Sequence, residues 1–99
     1  MLRATMGITV LDASTGEVIC GANLRIVAPN YDEELVTCAG PNVNGKVFVY
    51  AGVEHSNYRV DASAPGYQPS SNTVQVEYDK DCGGPHTANV EFKLHPAST

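Results

Sequence analysis

Apolar and polar side chains alternate every second residue, and this alternation most constrains what the chain can fold into. It is cleanest in four segments, residues 22–28, 58–64, 73–78 and 88–94. Successive side chains of a β-strand point to opposite faces, so this period indicates strands with one buried and one solvated face. On a helix the same apolar residues would spread around the whole circumference. The pattern therefore predicts strands.

Three shorter segments complete the predicted set. Residues 7–12 carry Ile8 and Val10 on one side. Residues 34–38 begin with Glu34, directly after two further acids, and these charges suit an exposed edge. Residues 47–50 are apolar on both faces, as in a strand covered on both sides or packed under a loop. Residues rich in Gly, Pro, Asn and Ser separate the segments and favour turns. The 99 residues therefore predict an all-β fold, a seven-stranded antiparallel β-sandwich in a single domain spanning 1–99, with its core at about 7–94.

Composition and charge exclude several classes of partner. A hydrophobic share of 42% and a charged share of 17% are typical of a folded globular protein. The net charge is −5 and the six Lys and Arg residues are scattered, which argues against nucleic acid. No apolar run approaches the roughly 20 residues that span a bilayer, so we expect no membrane insertion. The N-terminus lacks a secretory signal, which leaves a cytosolic protein or a mature part of an exported one.

Several stretches resemble one known group of domains. The strand at 7–12 leads into a Thr-Gly turn and a Gly-Ala step, residues 44–48 turn into an apolar strand, and residues 57–67 read Tyr-x-Val-x-Ala followed by Gly-Tyr. This order resembles the prealbumin-like (transthyretin-like), carboxypeptidase-regulatory-like domains. The resemblance implies a prealbumin-like or Ig-like sandwich that usually serves as an accessory unit of secreted or surface proteins and seldom carries catalysis.

Two residues of the stretch 57–67 have a structural reading of their own. Tyr58 can bury its ring while its hydroxyl reaches a backbone group at the start of a strand. Gly66 follows Pro65 where a turn requires a positive φ, which glycine adopts most readily.

Two chemistries known in the wider transthyretin-like group lack their residues here. Hydroxyisourate hydrolases carry a histidine before Val-Leu-Asp and end in Tyr-Arg-Gly-Ser, whereas this chain has Thr9 at the first place and a different sequence at 95–99. Isopeptide-forming relatives join a first-strand lysine to a last-strand asparagine. Asn89 would be the acceptor, but no lysine precedes Lys46. The chain is therefore predicted not to be an enzyme.

Metal and cofactor sites are not predicted either. The three histidines lie in turns or near strand ends without ligand spacing, and are interpreted as exposed loop residues: His55, His86 and His95. The acids Glu77, Asp79 and Asp81 alternate and could offer oxygens to Ca²⁺, but they lack the glycine and distal glutamate of an EF-hand loop. A solvated strand end that discourages edge pairing is favoured instead.

The cysteines bear on the compartment. Cys20, Cys38 and Cys82 allow three pairings. If strands two and three form a hairpin centred near Pro29, Cys20 and Cys38 fall opposite each other and can form a disulfide. Cys82 would then be a free thiol or a link to another chain. His86 lies near Cys82, but nothing else completes a nucleophilic site.

These features favour an extracellular or cell-surface protein, or a periplasmic one, while three reduced thiols in the cytoplasm remain the alternative. The leading function is an accessory or structural module that acts as a spacer beside other domains or associates with copies of itself, the third strand being the edge that adds to another chain. The alternative is a protein- or carbohydrate-binding module using the loop tyrosines Tyr31, Tyr50 and Tyr67. A transthyretin-like hydrolase is the third reading.

Overall fold

The computed structural model describes residues 4–38, 45–51, 55–78 and 85–97. The strands are β1 (Met6–Asp12), β2 (Asn23–Ala28), β3 (Tyr31–Val36), β4 (Val47–Val49), β5 (Asn57–Ser63), β6 (Ser70–Gln75), β7 (Glu77–Tyr78), β8 (Pro85–His86) and β9 (Ala88–Leu94). These described residues contain no α-helix, and no helix among them is long and apolar enough to cross a membrane.

Seven of these strands build two sheets. One has the order β4-β1-β9 and the other β3-β2-β5-β6, while the two-residue strands β7 and β8 form a separate ribbon. The inward side chains of the two sheets make one apolar core, in which Tyr58, Phe92, Met6 and Ile8 are among the largest buried residues. The predicted all-β sandwich is confirmed.

One strand pair departs from the predicted antiparallel arrangement. β1 pairs with β9 in parallel, from Met6 opposite Ala88 to Asp12 opposite Leu94. The remaining pairs in the described residues are antiparallel. A tight hairpin imposes antiparallel pairing, but β1 and β9 are joined through the whole other sheet, so no hairpin constrains their direction.

Two strand boundaries also differ from those predicted. β3 begins at Tyr31 rather than at residue 34, because the hairpin turn is only Pro29–Asn30, with Asn30 at a φ of 61° and Ala28 paired with Tyr31. The predicted strand 73–78 is divided at Val76. Its N–H leaves the ladder and donates to the Ser56 carbonyl at 2.8 Å, while its side chain stays buried.

Candidate functional site

Strand β4 presents aromatic side chains to solvent, although its apolar residues on both faces favour a strand that is covered on both sides or packed under a loop. Val47 and Val49 point into the core, whereas Phe48 and Tyr50 are 46% and 57% exposed. Residues two apart on an extended chain lie on the same face. The core lies on one face of this sheet, so the residues that alternate with Val47 and Val49 point to the opposite, outer face. In the described residues β4 is also an edge strand of its sheet. We call Lys46, Phe48 and Tyr50 the aromatic edge.

Gly7 of β1 shapes the surface beside the aromatic edge. It lies opposite Phe48 on one side and Asn89 on the other. A Cβ at Gly7 would lie 3.3 Å from Cδ and Cε of Lys46 and 3.4 Å from Cε1 of Phe48. The absence of a side chain therefore lets the Lys46 stem and the Phe48 ring lie flat across β1.

The Lys46 side chain reaches from the start of β4 across β1 to β9. Its ammonium donates to Oδ1 of Asn89 at 3.0 Å and lies 5.9 Å from the centroid of the Phe48 ring. Asn89 is thus an outward residue, as its alternation indicates, but it does have a lysine partner. The two residues are 43 positions apart, and only the strand register together with the missing side chain at Gly7 could have indicated the contact.

The three tyrosines proposed as a binding surface lie on different elements. Tyr50 is exposed after β4. Tyr31 is half-buried in β3, with its ring edge-on to Tyr58 at 6.1 Å and its hydroxyl donating to Glu33 at 2.8 Å. Tyr67 is half-buried between β5 and β6. A binding role for these residues stays a prediction. Tyr50 is the strongest candidate of the three, because its side chain is the most exposed.

Tyr58 lies at the centre of an aromatic cluster at one end of the sandwich. Its side chain is 1% exposed, and its hydroxyl accepts the His55 N–H at 3.3 Å and lies 3.1 Å from the Tyr78 hydroxyl. The imidazole of His55 packs edge-on against the Tyr58 ring at 5.8 Å. His55 is therefore half-buried rather than an exposed loop residue, whereas His86 and His95 are exposed.

Asp12, at the end of β1, gathers several hydrogen-bond donors. The Tyr67 hydroxyl donates to Oδ2 at 2.6 Å, and the N–H groups of Ser14 and Thr15 donate to Oδ1 at 2.6 and 3.2 Å. These bonds favour the charged carboxylate and lower the pKa of Asp12 below its ordinary value of 3.8, Tyr67 contributing most. The same contact raises the pKa of Tyr67.

Replacing Tyr67 by phenylalanine should therefore raise the pKa of Asp12, as measured by NMR titration of the carboxyl carbon. Because the folded-state pKa is lowered, Asp12 stabilises the fold above about pH 3.8, and this contribution is lost as the pH falls through the folded-state value. Tyr67→Phe should reduce this pH-dependent contribution of Asp12 to the free energy of unfolding, and Tyr50→Phe should leave it unchanged. An unaltered Asp12 pKa in Tyr67→Phe would contradict the hydrogen bond.

Cys20 and Cys38 lie at disulfide distance, with Cα atoms 5.2 Å apart, before β2 and after β3. Thr37, which the sequence did not single out, is buried beside them. Its hydroxyl donates to the Ile19 carbonyl at 2.7 Å and accepts the Ala22 N–H at 3.0 Å. The free or intermolecular thiol proposed for Cys82 lies outside the described residues.

The outer face of the four-stranded sheet is polar and largely paired within itself. Arg25 donates to both Asp32 oxygens, at 3.0 and 2.5 Å, and this contact lowers the pKa of Asp32. Asp61 accepts the Ser71 hydroxyl at 2.6 Å and lies 3.3 Å from Arg59. In the described part of the chain no group of three or more His, Cys, Asp or Glu is placed to hold a metal ion, and Asp79 and Asp81 fall outside it.

Two solved structures superpose on nearly the whole chain. The Bacillus anthracis TIE protein gives a TM-score of 0.65 at 17% identity, covering 96% of this chain and 17% of that one. Klebsiella pneumoniae 5-hydroxyisourate hydrolase gives a TM-score of 0.61 at 16% identity, covering 97% and 93%. The fold is transthyretin-like. The sequence matches no protein-family model and no curated protein.

The second of these transthyretin-like structures overturns the prediction that the chain is not an enzyme. A hydrolase has this fold over 93% of its own length, so neither the fold nor the size separates this chain from enzymes. The prediction depended on the accessory role of a resembling group and on two absent motifs. Thr9, at one of those motifs, lies in β1 opposite Glu91 of β9.

Proposed function

We propose that the chain is an accessory interaction module, one domain over 1–99, that joins another protein surface through its aromatic edge. The exposure of Phe48 and Tyr50 on one face of an edge strand carries this proposal. Exposed apolar patches on folded proteins mark interaction sites when their members are contiguous. Here the Lys46 stem and the Phe48 ring lie together over Gly7 and extend the patch across β1.

The module is proposed to act as a spacer or self-associating unit of a secreted or cell-surface protein, like the carboxypeptidase-regulatory-like units it resembles. The TIE protein supports this, because a chain of this length matches only 17% of it. The Cys20–Cys38 pair supports export, since disulfides persist in oxidising compartments.

Hydroxyl-radical footprinting tests the proposed surface. Phe48 and Tyr50 should oxidise more slowly in intact cells that make the protein than in the dilute purified chain. Val36, exposed to 42% on the other sheet, is the reference. Equal oxidation of Phe48 and Tyr50 in both settings would overturn the proposal.

A hydrolase is a second candidate, favoured by the fold shared with the Klebsiella enzyme. Turnover of 5-hydroxyisourate is measured against that enzyme and against buffer alone. Turnover that is lost in His86→Ala and kept in His95→Ala would support this function. A rate equal to that in buffer would remove it.

A further inference from the structure

We propose that β4 pairs antiparallel with β4 of a second copy, so that the two three-stranded sheets join into one six-stranded sheet. This inference rests on the proposed function, and it identifies the partner of the aromatic edge as a second copy of the same chain. The pairing would be two-fold symmetric, with Phe48 opposite Phe48 of the second copy, because such a contact uses the same patch twice.

The backbone of β4 is oriented for this pairing. The Val49 carbonyl accepts the Thr5 N–H at 2.6 Å, so it faces β1. Backbone groups alternate in direction along a strand, and those of Lys46, Phe48 and Tyr50 therefore face the opposite side. β4 is the outermost strand of its sheet in the described residues, and none of these residues forms a strand paired with this side.

The side chains suit the same register. With Phe48 on the two-fold axis, Phe48 meets its own copy and Lys46 lies opposite Tyr50 of the second copy. Aromatic cross-strand pairs stabilise antiparallel sheets, and no like charges oppose each other in this register. The Lys46 stem lies over Gly7 and its ammonium stays on Asn89, so this charge points away from the second copy.

The other sheet edges are less suited to a second copy. β3 is an edge strand, as predicted, but three consecutive acids occupy it: Asp32, Glu33 and Glu34. A register centred on β3 would place acids opposite acids, which is destabilising.

β9 and β6 are also poor edges. The outward side chains of β9 are Asn89, Glu91 and Lys93, which offer no apolar patch. The chain just after β9 is paired, since the Gln68 N–H donates to the His95 carbonyl at 2.8 Å and Tyr67 pairs with Pro96. The outward side chains of β6 are Ser71, Thr73 and Gln75, which offer no apolar patch. Self-pairing is therefore assigned to β4.

The contact is small. An edge of about three strand residues per copy falls below the area of stable complexes, so the dimer should be weak and concentration-dependent. Each copy carries a net charge of −5, and added salt should strengthen the dimer by screening this repulsion.

The test exploits the axial position of Phe48. In a Cys82→Ser background, which removes dimers linked through that thiol, sedimentation and native mass spectrometry give the dissociation constant. Phe48→Glu and Phe48→Lys should each weaken the homodimer at least tenfold, because like charges meet on the axis. An equimolar mixture should restore a one-to-one heterodimer. Val36→Glu, an equally exposed position on β3, should leave the dissociation constant unchanged.

A wild-type chain that stays monomeric at all accessible concentrations would overturn the inference, as would a mixture without heterodimer. Val36→Glu weakening the dimer as much as Phe48→Glu would do the same. Circular dichroism verifies that the variants fold. A monomer whose Phe48 and Tyr50 are still protected in cells would overturn self-pairing alone and leave the proposed module function standing.

Discussion

Replacing Tyr58 by alanine is expected to lower the free energy of unfolding by about 3–5 kcal/mol, the cost of truncating a large aromatic side chain in a core. Tyr58 is 1% exposed, and Tyr31 and His55 pack edge-on against its ring. Their positions leave the ring's space as a cavity once it is removed. Urea unfolding followed by circular dichroism measures the loss.

Tyr58→Phe separates the ring from the hydroxyl. It keeps the buried ring but removes the oxygen that accepts the His55 N–H and contacts Tyr78, at an expected cost of about 1–3 kcal/mol. Tyr50→Ala, at an exposed position, should change stability by less than about 0.5 kcal/mol. A Tyr58→Phe variant as unstable as Tyr58→Ala would show that hydrogen bonding rather than ring burial dominates at this position.

The alternation of side chains was sufficient to predict most of the sandwich, because each clean strand has one buried face. It failed at β4, where four apolar residues in a row hide which two point outward. Only the register with β1, which sets Val47 and Val49 beside the buried Ile8 and Met6, decides that Phe48 and Tyr50 face solvent. The parallel pairing of β1 with β9 is likewise a property of the tertiary structure, since no local turn encodes it.

The candidate site was less accessible to sequence reasoning. Lys46 and Asn89 meet across Gly7, and no short motif links residues on three different strands. Thr37 gives no signal either, because one threonine at a strand end is indistinguishable from a solvated turn residue until its partners Ile19 and Ala22 are placed. Tyr31 and Tyr67 are the opposite case. The sequence suggests exposed loop side chains, whereas the Tyr31 hydroxyl donates to Glu33 and the Tyr67 hydroxyl donates to Asp12.

Removing the Cys20–Cys38 pair should cost about 3 kcal/mol, the chain-entropy value for a loop of roughly this length. Chemical denaturation of Cys20→Ser/Cys38→Ser measures the loss, with Cys82→Ser as the matched control that should leave stability unchanged. The variant should still fold, because Thr37 holds the same two chain ends: its N–H donates to the Ala22 carbonyl at 2.9 Å, and its own carbonyl accepts the Gly21 N–H at 3.0 Å.

Intact mass before reduction decides whether the bond forms in the protein as made. One bridge and one alkylatable thiol are expected, with the unreduced chain lighter by two hydrogen atoms. Three alkylatable thiols in the folded protein would contradict the bridge and remove the support for export, because thiols persist in the reducing cytosol. If the bridge forms, Thr37→Val in the reduced chain should destabilise more than in the oxidised chain. The Thr37 hydroxyl and the disulfide connect the same two chain segments, before β2 and after β3. The free-energy costs of removing two such neighbouring contacts are not additive.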